Sequence, residues 1–76
     1  MNMQGTILYA VKAIRQYLLV RPGAADTLEG IHSWWIDWQG QPESPEVSAA
    51  ALQKLLQNGE VEKRLVGGRE IWRKAR

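Results

Sequence analysis

Apolar residues recur at helical spacing in the first quarter of the chain. Six of them follow a period near 3.6 residues: Ile7, Leu8, Val11, Ile14, Leu18 and Leu19. This pattern predicts an amphipathic helix from about Ile7 to Val20. Thr6 is the candidate N-cap, and residues 1–5 are expected to fray. Arg21-Pro22-Gly23 should end the helix, because proline disfavours helical backbone in the residue before it.

A second helical pattern follows a short gap. Asp26 and Glu29 have the spacing of a capping box, with Asp26 as the cap. We expect this helix to reach Trp35 or Ile36. One face of it carries three apolar residues: Leu28, Ile31 and Trp35. Gly30 inside the helix costs about 1 kcal/mol relative to alanine, and close approach to a neighbouring helix would explain it.

A third helix begins at Ser44-Pro45-Glu46. Ser44 is a good N-cap, and Pro45 suits the first helical position, where no amide is needed. Asn58-Gly59 supplies the stop, because either residue tolerates a left-handed cap. The apolar face of this helix consists of Val47, Ala51, Leu52, Leu55 and Leu56.

Two short runs with strand-forming residues complete the chain, at Val61 to Val66 and Arg69 to Lys74. Gly67-Gly68 joins them, and two adjacent glycines can both adopt the positive φ of a type I′ turn. The sequence therefore predicts a β-hairpin. A lone hairpin is marginal in water, so we expect one side of it to dock on the helices.

The last helix and the hairpin carry a pattern found in a known class of domain. Leu52-x-x-Leu55-x-x-x-Gly59-x-Val61, a basic strand, a glycine turn and a second strand follow one another. This segment resembles the last helix and the wing of winged helix-turn-helix domains, which are common in bacterial transcription regulators. The resemblance covers about residues 6–75. It implies that Ala24-Ala25 forms a minimal strand paired with the wing.

We therefore predict a mainly α fold with a C-terminal β-hairpin, a three-helix winged helix-turn-helix. The loop Asp37 to Glu43 departs from the pattern, because the turn in compact helix-turn-helix units has about 3–4 residues. The 76 residues are expected to form one domain, 1–76, with residues 75–76 frayed like the N-terminus.

The amino-acid composition excludes several kinds of functional site. The chain has no cysteine, which excludes disulfides and thiolate metal sites and is compatible with the cytoplasm, where we expect the protein. His32 is the only histidine and has no second ligand at metal spacing, so we expect a surface or half-buried residue. Gly67-Gly68 lacks the Lys-Ser/Thr of a phosphate loop. We expect no enzymatic activity, no metal, no cofactor and no membrane span.

Charge is uneven along the chain. Residues 60–76 carry six Lys or Arg and three Glu, a net charge of +3, whereas residues 1–59 carry −1. A basic wing can lie along DNA phosphates. The candidate nucleic-acid contacts are Lys63, Arg64, Arg69 and Arg73 in the wing, with Gln53 and Lys54 on the third helix. The other interpretation is a solvated hairpin whose charges protect its edge from aggregation.

A protein-interaction module with the same fold is the alternative function. Trp34 and Trp38 are four residues apart beside the long loop, and exposed tryptophans are favoured anchors of binding surfaces. Ala49 and Ala50 would extend the contact along the third helix. The other interpretation is that Trp34, Trp35 and Trp38 all fill gaps between the helices and the wing, because a small domain needs aromatic area for its own core. The resemblance also implies a homodimer, for which helix 1 with Leu8, Tyr9 and Leu19 is the candidate surface. The other interpretation is that these three residues belong to the core.

Overall fold

Three helical segments and a small antiparallel sheet make up residues 3–76, the part of the chain that the computed structural model describes. In chain order the elements are α1 (Met3–Val20), β1 (Ala25–Asp26), α2 (Leu28–Gly30) continued by a π-helical segment (Ile31–Trp35), α3 (Pro45–Gln57), β2 (Val61–Val66) and β3 (Arg69–Lys74). The coarse fold prediction, helices with a C-terminal hairpin, is confirmed. Among these residues, no helix combines the length and the apolar character needed to cross a membrane.

Helix α1 begins at Met3, before its predicted start. Thr6 therefore lies inside the helix and is buried, so the prediction that it caps α1 is wrong. The expected fraying falls partly on residues 1–2, which lie outside the described residues. At the other end of the chain, residues 75–76 follow β3 outside any strand, and the Ala75 amide donates to the Glu60 carbonyl at 3.1 Å.

The start of α2 differs from the predicted capping box. Thr27 is the N-cap, because its Oγ1 accepts a hydrogen bond from the Gly30 amide at 3.2 Å. Asp26 Oδ1 instead accepts from the Thr27 amide at 2.7 Å, so the prediction of an Asp26 cap is wrong. The Asp26 carboxylate lies against Gly30, where an added Cβ would be 2.1 Å from Oδ1. The close approach at Gly30 is thus to this side chain and not to a neighbouring helix.

The π-helical segment ends the second helix at Trp35, as predicted, because Ile36 adopts extended backbone. Its wider winding directs Ile31, His32 and Trp35 into the core and leaves Trp34 outside. His32 is 8% exposed and its Nδ1 lies 2.7 Å from Ser48 Oγ on α3. The prediction of a surface or half-buried histidine is therefore wrong.

Both ends of α3 match the sequence prediction. Ser44 Oγ accepts from the Glu46 amide at 3.2 Å, and Pro45 occupies the first turn. Gly59 has a φ of +74°, and two hydrogen bonds close the end, from Gly59 N to Leu56 O and from Glu60 N to Leu55 O. This is the Schellman arrangement, which turns the chain directly into β2.

The sheet has the strand order β1-β3-β2 and is antiparallel throughout. In the hairpin, Val61 pairs with Lys74 and Val66 with Arg69. Gly67 and Gly68 have φ values of +57° and +80°, as the predicted turn requires. The expected minimal strand is present but lies one residue later, at Ala25–Asp26, and pairs with β3.

The core lies between the helices and one face of the sheet. It is formed by Ala10, Val11, Ile14, Leu18, Ile31, Trp35, Ile36, Val47, Ala51, Leu52, Leu55, Val61 and Trp72. Trp35 stacks on Tyr17 with a centroid distance of 4.5 Å, and Trp72 covers the core from β3. Two of the four tryptophans are therefore core residues, and the face of the hairpin opposite Val61 and Trp72 does not contribute to the core.

Candidate nucleic-acid interface

The register of the hairpin assigns its side chains to two faces. Residues that pair directly share a face, and successive residues alternate between faces. Val61 and Trp72 are buried, so the face that contains them packs on the helices. The opposite face, here called the outer face, consists of Glu62, Arg64, Val66, Arg69, Ile71 and Arg73.

Three of the four predicted wing cations lie on the outer face, where Glu62 is the one carboxylate among the six residues. Arg73 Nε donates to Glu62 Oε2 at 2.6 Å, and Arg64 Nε donates to the same oxygen at 3.3 Å. Arg69 makes no ion pair within residues 3–76. Three arginines against one carboxylate give the outer face a net charge of +2.

The arginines keep Glu62 ionised. The hydrogen bond from Arg73 is the main cause of a lowered pKa for the Glu62 carboxyl, and the positive charge of Arg73 and the bond from Arg64 lower this pKa further. Partial desolvation opposes the shift and is outweighed. The carboxylate is thus a permanent part of the outer face at neutral pH.

Lys63, the fourth predicted wing cation, lies on the other face. Its Nζ is 3.4 Å from Glu70 Oε2 and 5.3 Å from the centre of the Trp72 ring. A lysine at this place extends the cover over Trp72 and neutralises Glu70. The structure therefore separates Lys63 from the three arginines with which sequence reasoning grouped it.

The exposed surface of α3 contributes little positive charge. Gln53 and Lys54 are exposed, as predicted, whereas Ala49 and Ala50 are half-buried. Glu46 lies exposed in the first turn of the helix. An acidic first turn repels phosphates, so any electrostatic attraction for a polyanion comes mainly from the hairpin.

The two tryptophans of the alternative function have different environments. Trp34 is 80% exposed, more than any other large hydrophobic residue of the described chain. Trp38 is half-buried, because its ring packs against Tyr9 and His32 and its Nε1 donates to the His32 carbonyl at 2.8 Å. Trp38 therefore fills a gap, and Trp34 alone is available for an external contact.

The surface of α1 that was predicted for dimerisation is only partly free. Leu8 and Leu19 are exposed, the latter by 72%. Tyr9 packs on Trp38, and its hydroxyl donates to the Asp37 carbonyl. A groove of about 510 Å³ begins beside Tyr9 and is lined by Tyr17 and Trp35 as well, but not by Leu8 or Leu19.

One basic feature of the structure was not predicted from the sequence. A cleft of about 340 Å³ at the base of the hairpin separates the turn Pro22–Ala24 from Arg73, Lys74 and Arg76. The basic C-terminal residues were visible in the sequence. Their position opposite the turn depends on the pairing of β1 with β3. A strand of two residues, such as β1, has no sequence signal of its own.

No protein-family model, curated protein or solved structure gives a significant match to this chain.

Proposed function

We propose that this chain is a winged-helix protein that binds double-stranded DNA, in the manner of a small transcription regulator. The outer face of the hairpin lies on the phosphate backbone and α3 faces the groove. One observation carries the proposal: Arg64, Arg69 and Arg73 share a face that does not pack on the core. Cations on such a surface attract DNA, because its phosphate charges are closely spaced along each DNA strand.

The order of elements supports the winged-helix part of the proposal. A short strand between α1 and α2 pairs with the hairpin that follows α3. This pairing fixes the hairpin beside the helices, with its glycine turn projecting. In a winged helix the projecting hairpin is the wing, and α3 takes the place of the recognition helix.

The proposed complex is weak and reads little sequence. Phosphate contacts position a protein on DNA, whereas contacts with base edges specify the sequence. Gln53 and Lys54 are the exposed α3 residues suited to base edges. If three phosphates are neutralised by the outer face, log K should fall with log[salt] at a slope of about −2.7.

The test is an NMR amide titration with a mixed-sequence DNA duplex at low and at high salt. We expect salt-sensitive shifts along β2 and β3 and at Gln53 and Lys54. R69Q should weaken binding and reduce the salt slope by about 0.9. K12Q is the matched control, because Lys12 on α1 is an exposed cation that forms no ion pair with any residue from 3 to 76. Shifts that are absent, or equal effects of both variants, would contradict the proposal.

A protein-interaction module is the second candidate function, and the exposure of Trp34 favours it. A tryptophan with so much free surface can anchor a partner at low entropic cost. The exposed leucines of α1 offer a homodimer contact. Sedimentation equilibrium of the wild type, W34A and the double variant L8S/L19S tests self-association. A dimer lost in L8S/L19S would support α1 as the contact, and a monomer at all concentrations would exclude the homodimer.

A further inference from the structure

Two guanidinium groups on the outer face share one carboxylate oxygen. Arg64 and Arg73 both donate through Nε to Oε2 of Glu62. Each guanidinium has five N–H donors, so the Nη groups at its far end are not used in these contacts. Arg64 is more than half exposed and Arg73 about a quarter exposed, so both can meet a ligand. Each guanidinium is therefore held through Nε, and its Nη groups remain to donate to a ligand.

We propose that Glu62 is a positioning residue that holds Arg64 and Arg73 as a two-arginine clamp for a phosphate group. The inference rests on the proposed DNA-binding function, for which the ligand is a phosphate of the backbone. An inorganic phosphate or a phosphate ester presents the same oxygens. Arginine suits this task because its planar fork can donate two parallel hydrogen bonds to a phosphate.

The pairing of the strands explains why the clamp forms here. Glu62 lies directly opposite Arg73, and Arg64 is two residues further along β2 on the same face. Opposite charges at paired positions stabilise one another across a sheet. Arg73 belongs to the central strand, so its backbone is fixed by hydrogen-bonded neighbours on both sides. A long side chain is thereby held before any ligand arrives.

The outer face continues the positive surface in both directions from the clamp. Arg69 lies four residues from Arg73 on the same strand, about 14 Å away at a rise of about 3.4 Å per residue. At the other end, Arg73 also lines the basic cleft with Lys74 and Arg76. Phosphates of one DNA strand follow at about 3.4 Å along the helix axis, so such a surface spans several of them.

Two effects of Glu62 oppose each other, and their balance makes the inference testable. Its negative charge repels a phosphate, so electrostatics alone predicts that removing it strengthens binding. Its hydrogen bonds restrict the flexible side chains of Arg64 and Arg73. Without Glu62, the ligand has to immobilise both arginines itself, and the entropy lost in doing so weakens binding. Glu62 is partly exposed, so salt screens part of its repulsion, and we expect the loss of positioning to dominate.

The test follows the Nε–Hε resonances of Arg64 and Arg73 during titration with inorganic phosphate and, separately, with a DNA duplex. In the wild type both signals should shift and saturate. In E62A we expect binding of either ligand to weaken roughly threefold to tenfold. E62Q keeps the side-chain length and a neutral acceptor, so it should lose less than E62A.

E70A is the matched control. Glu70 is a carboxylate of the same hairpin, but it pairs with Lys63 on the helix-facing side. Its removal changes the net charge as E62A does and should leave phosphate binding equal or tighter. Circular dichroism of each variant checks that the fold is kept.

Tighter binding by E62A and E62Q, or equal behaviour of E62A and E70A, would overturn the clamp and leave the DNA-binding proposal standing. Arginine signals that phosphate and duplex both leave unshifted would overturn the clamp as well. Shifts with inorganic phosphate but none with the duplex would support the clamp as a site for a small phosphate and overturn the proposed DNA-binding function.

Discussion

Ser48 has no exposed surface, although it lies in the middle of α3. Its hydroxyl is 2.7 Å from Nδ1 of the buried His32, and this contact joins α3 to the π-helical segment. Among the described residues, every buried side-chain nitrogen and oxygen has a hydrogen-bond partner. The pair is therefore part of a fully satisfied core.

Replacing Ser48 tests how much this contact stabilises the fold. We expect S48A to lower the free energy of unfolding by about 1–2 kcal/mol, because the His32 ring nitrogen is then buried without a partner. Urea denaturation measures the change. S33A is the control, since Ser33 is exposed on the same π-helical segment, and it should stay within about 0.5 kcal/mol of the wild type. Equal stability of S48A and wild type would contradict the prediction.

Arg15 and Glu60 form the ion pair that joins α1 to the start of the hairpin. Arg15 Nε and Nη2 donate to the two oxygens of the Glu60 carboxylate, each at 2.8 Å. The hydrogen bond from Arg15 is the main cause of a lowered pKa for Glu60, and partial desolvation opposes it. Both side chains are partly exposed, so solvent screens the pair.

The sign of the pKa shift fixes the pH dependence of this pair. Because the folded-state pKa of Glu60 is lowered, the stabilisation is present above the ordinary glutamate pKa and is lost as pH falls through the lowered value. R15Q should therefore cost less than about 1 kcal/mol at pH 7, and its difference from wild type should shrink towards pH 3. Urea denaturation at both pH values measures this. A difference that stays constant would contradict the assignment.

At the scale of elements, the start of α2 depends on the contact between Asp26 and Gly30. An alanine at position 30 would gain about 1 kcal/mol in helix propensity. Its Cβ would displace the Asp26 carboxylate and break the hydrogen bond from the Thr27 amide. A hydrogen bond to a charged group such as this carboxylate contributes about 1.5–3 kcal/mol, so its loss offsets or outweighs the gain in helix propensity.

A double-mutant cycle separates these effects. We expect G30A to be neutral or destabilising in the wild type, and to stabilise the fold by about 1 kcal/mol in a D26A background. Thermal or urea unfolding of the four proteins gives the coupling between the two positions. A stabilisation by G30A that is equal in both backgrounds would show that the carboxylate does not restrict position 30.

Elements with a strong local signal could be predicted from the sequence. Helix α3 has a cap, a first-turn proline and a glycine stop, and its predicted limits are correct because these signals act on neighbouring residues. The hairpin is equally local. The Thr27 cap could not be predicted, because Asp26 and Thr27 are both good caps and the structure places Asp26 in β1, paired with Trp72. The π-helical winding was not predicted either.

The candidate site was predictable by residue type but not by arrangement. Arg64, Arg69 and Arg73 stand out in a basic segment, yet their common face follows from the strand register. Lys63 has the same composition signal and lies on the opposite side. Glu62 was missed because a carboxylate within a basic hairpin suggests only that part of the charge is neutralised. The oxygen that Arg64 and Arg73 share is the feature that suggests a positioning role.

For the molecule as a whole, the neighbouring residues Trp34 and Trp35 have opposite roles. Trp35 belongs to the core and stacks on Tyr17, whereas Trp34 is 80% exposed. Domains of this size have a core that supplies roughly 3–5 kcal/mol of net stability. Loss of a buried aromatic costs about 3–5 kcal/mol, so a single substitution can remove all of it.

We therefore expect W35A to be largely unfolded at 25 °C and W34A to be as stable as the wild type within about 0.5 kcal/mol. Circular dichroism during heating distinguishes the two. Each variant is the control for the other, since both replace a tryptophan with alanine and the two positions are adjacent. A loss of more than about 1 kcal/mol in W34A would mean that Trp34 packs within the fold. It would then be no free anchor, and the protein-interaction candidate would lose its main support.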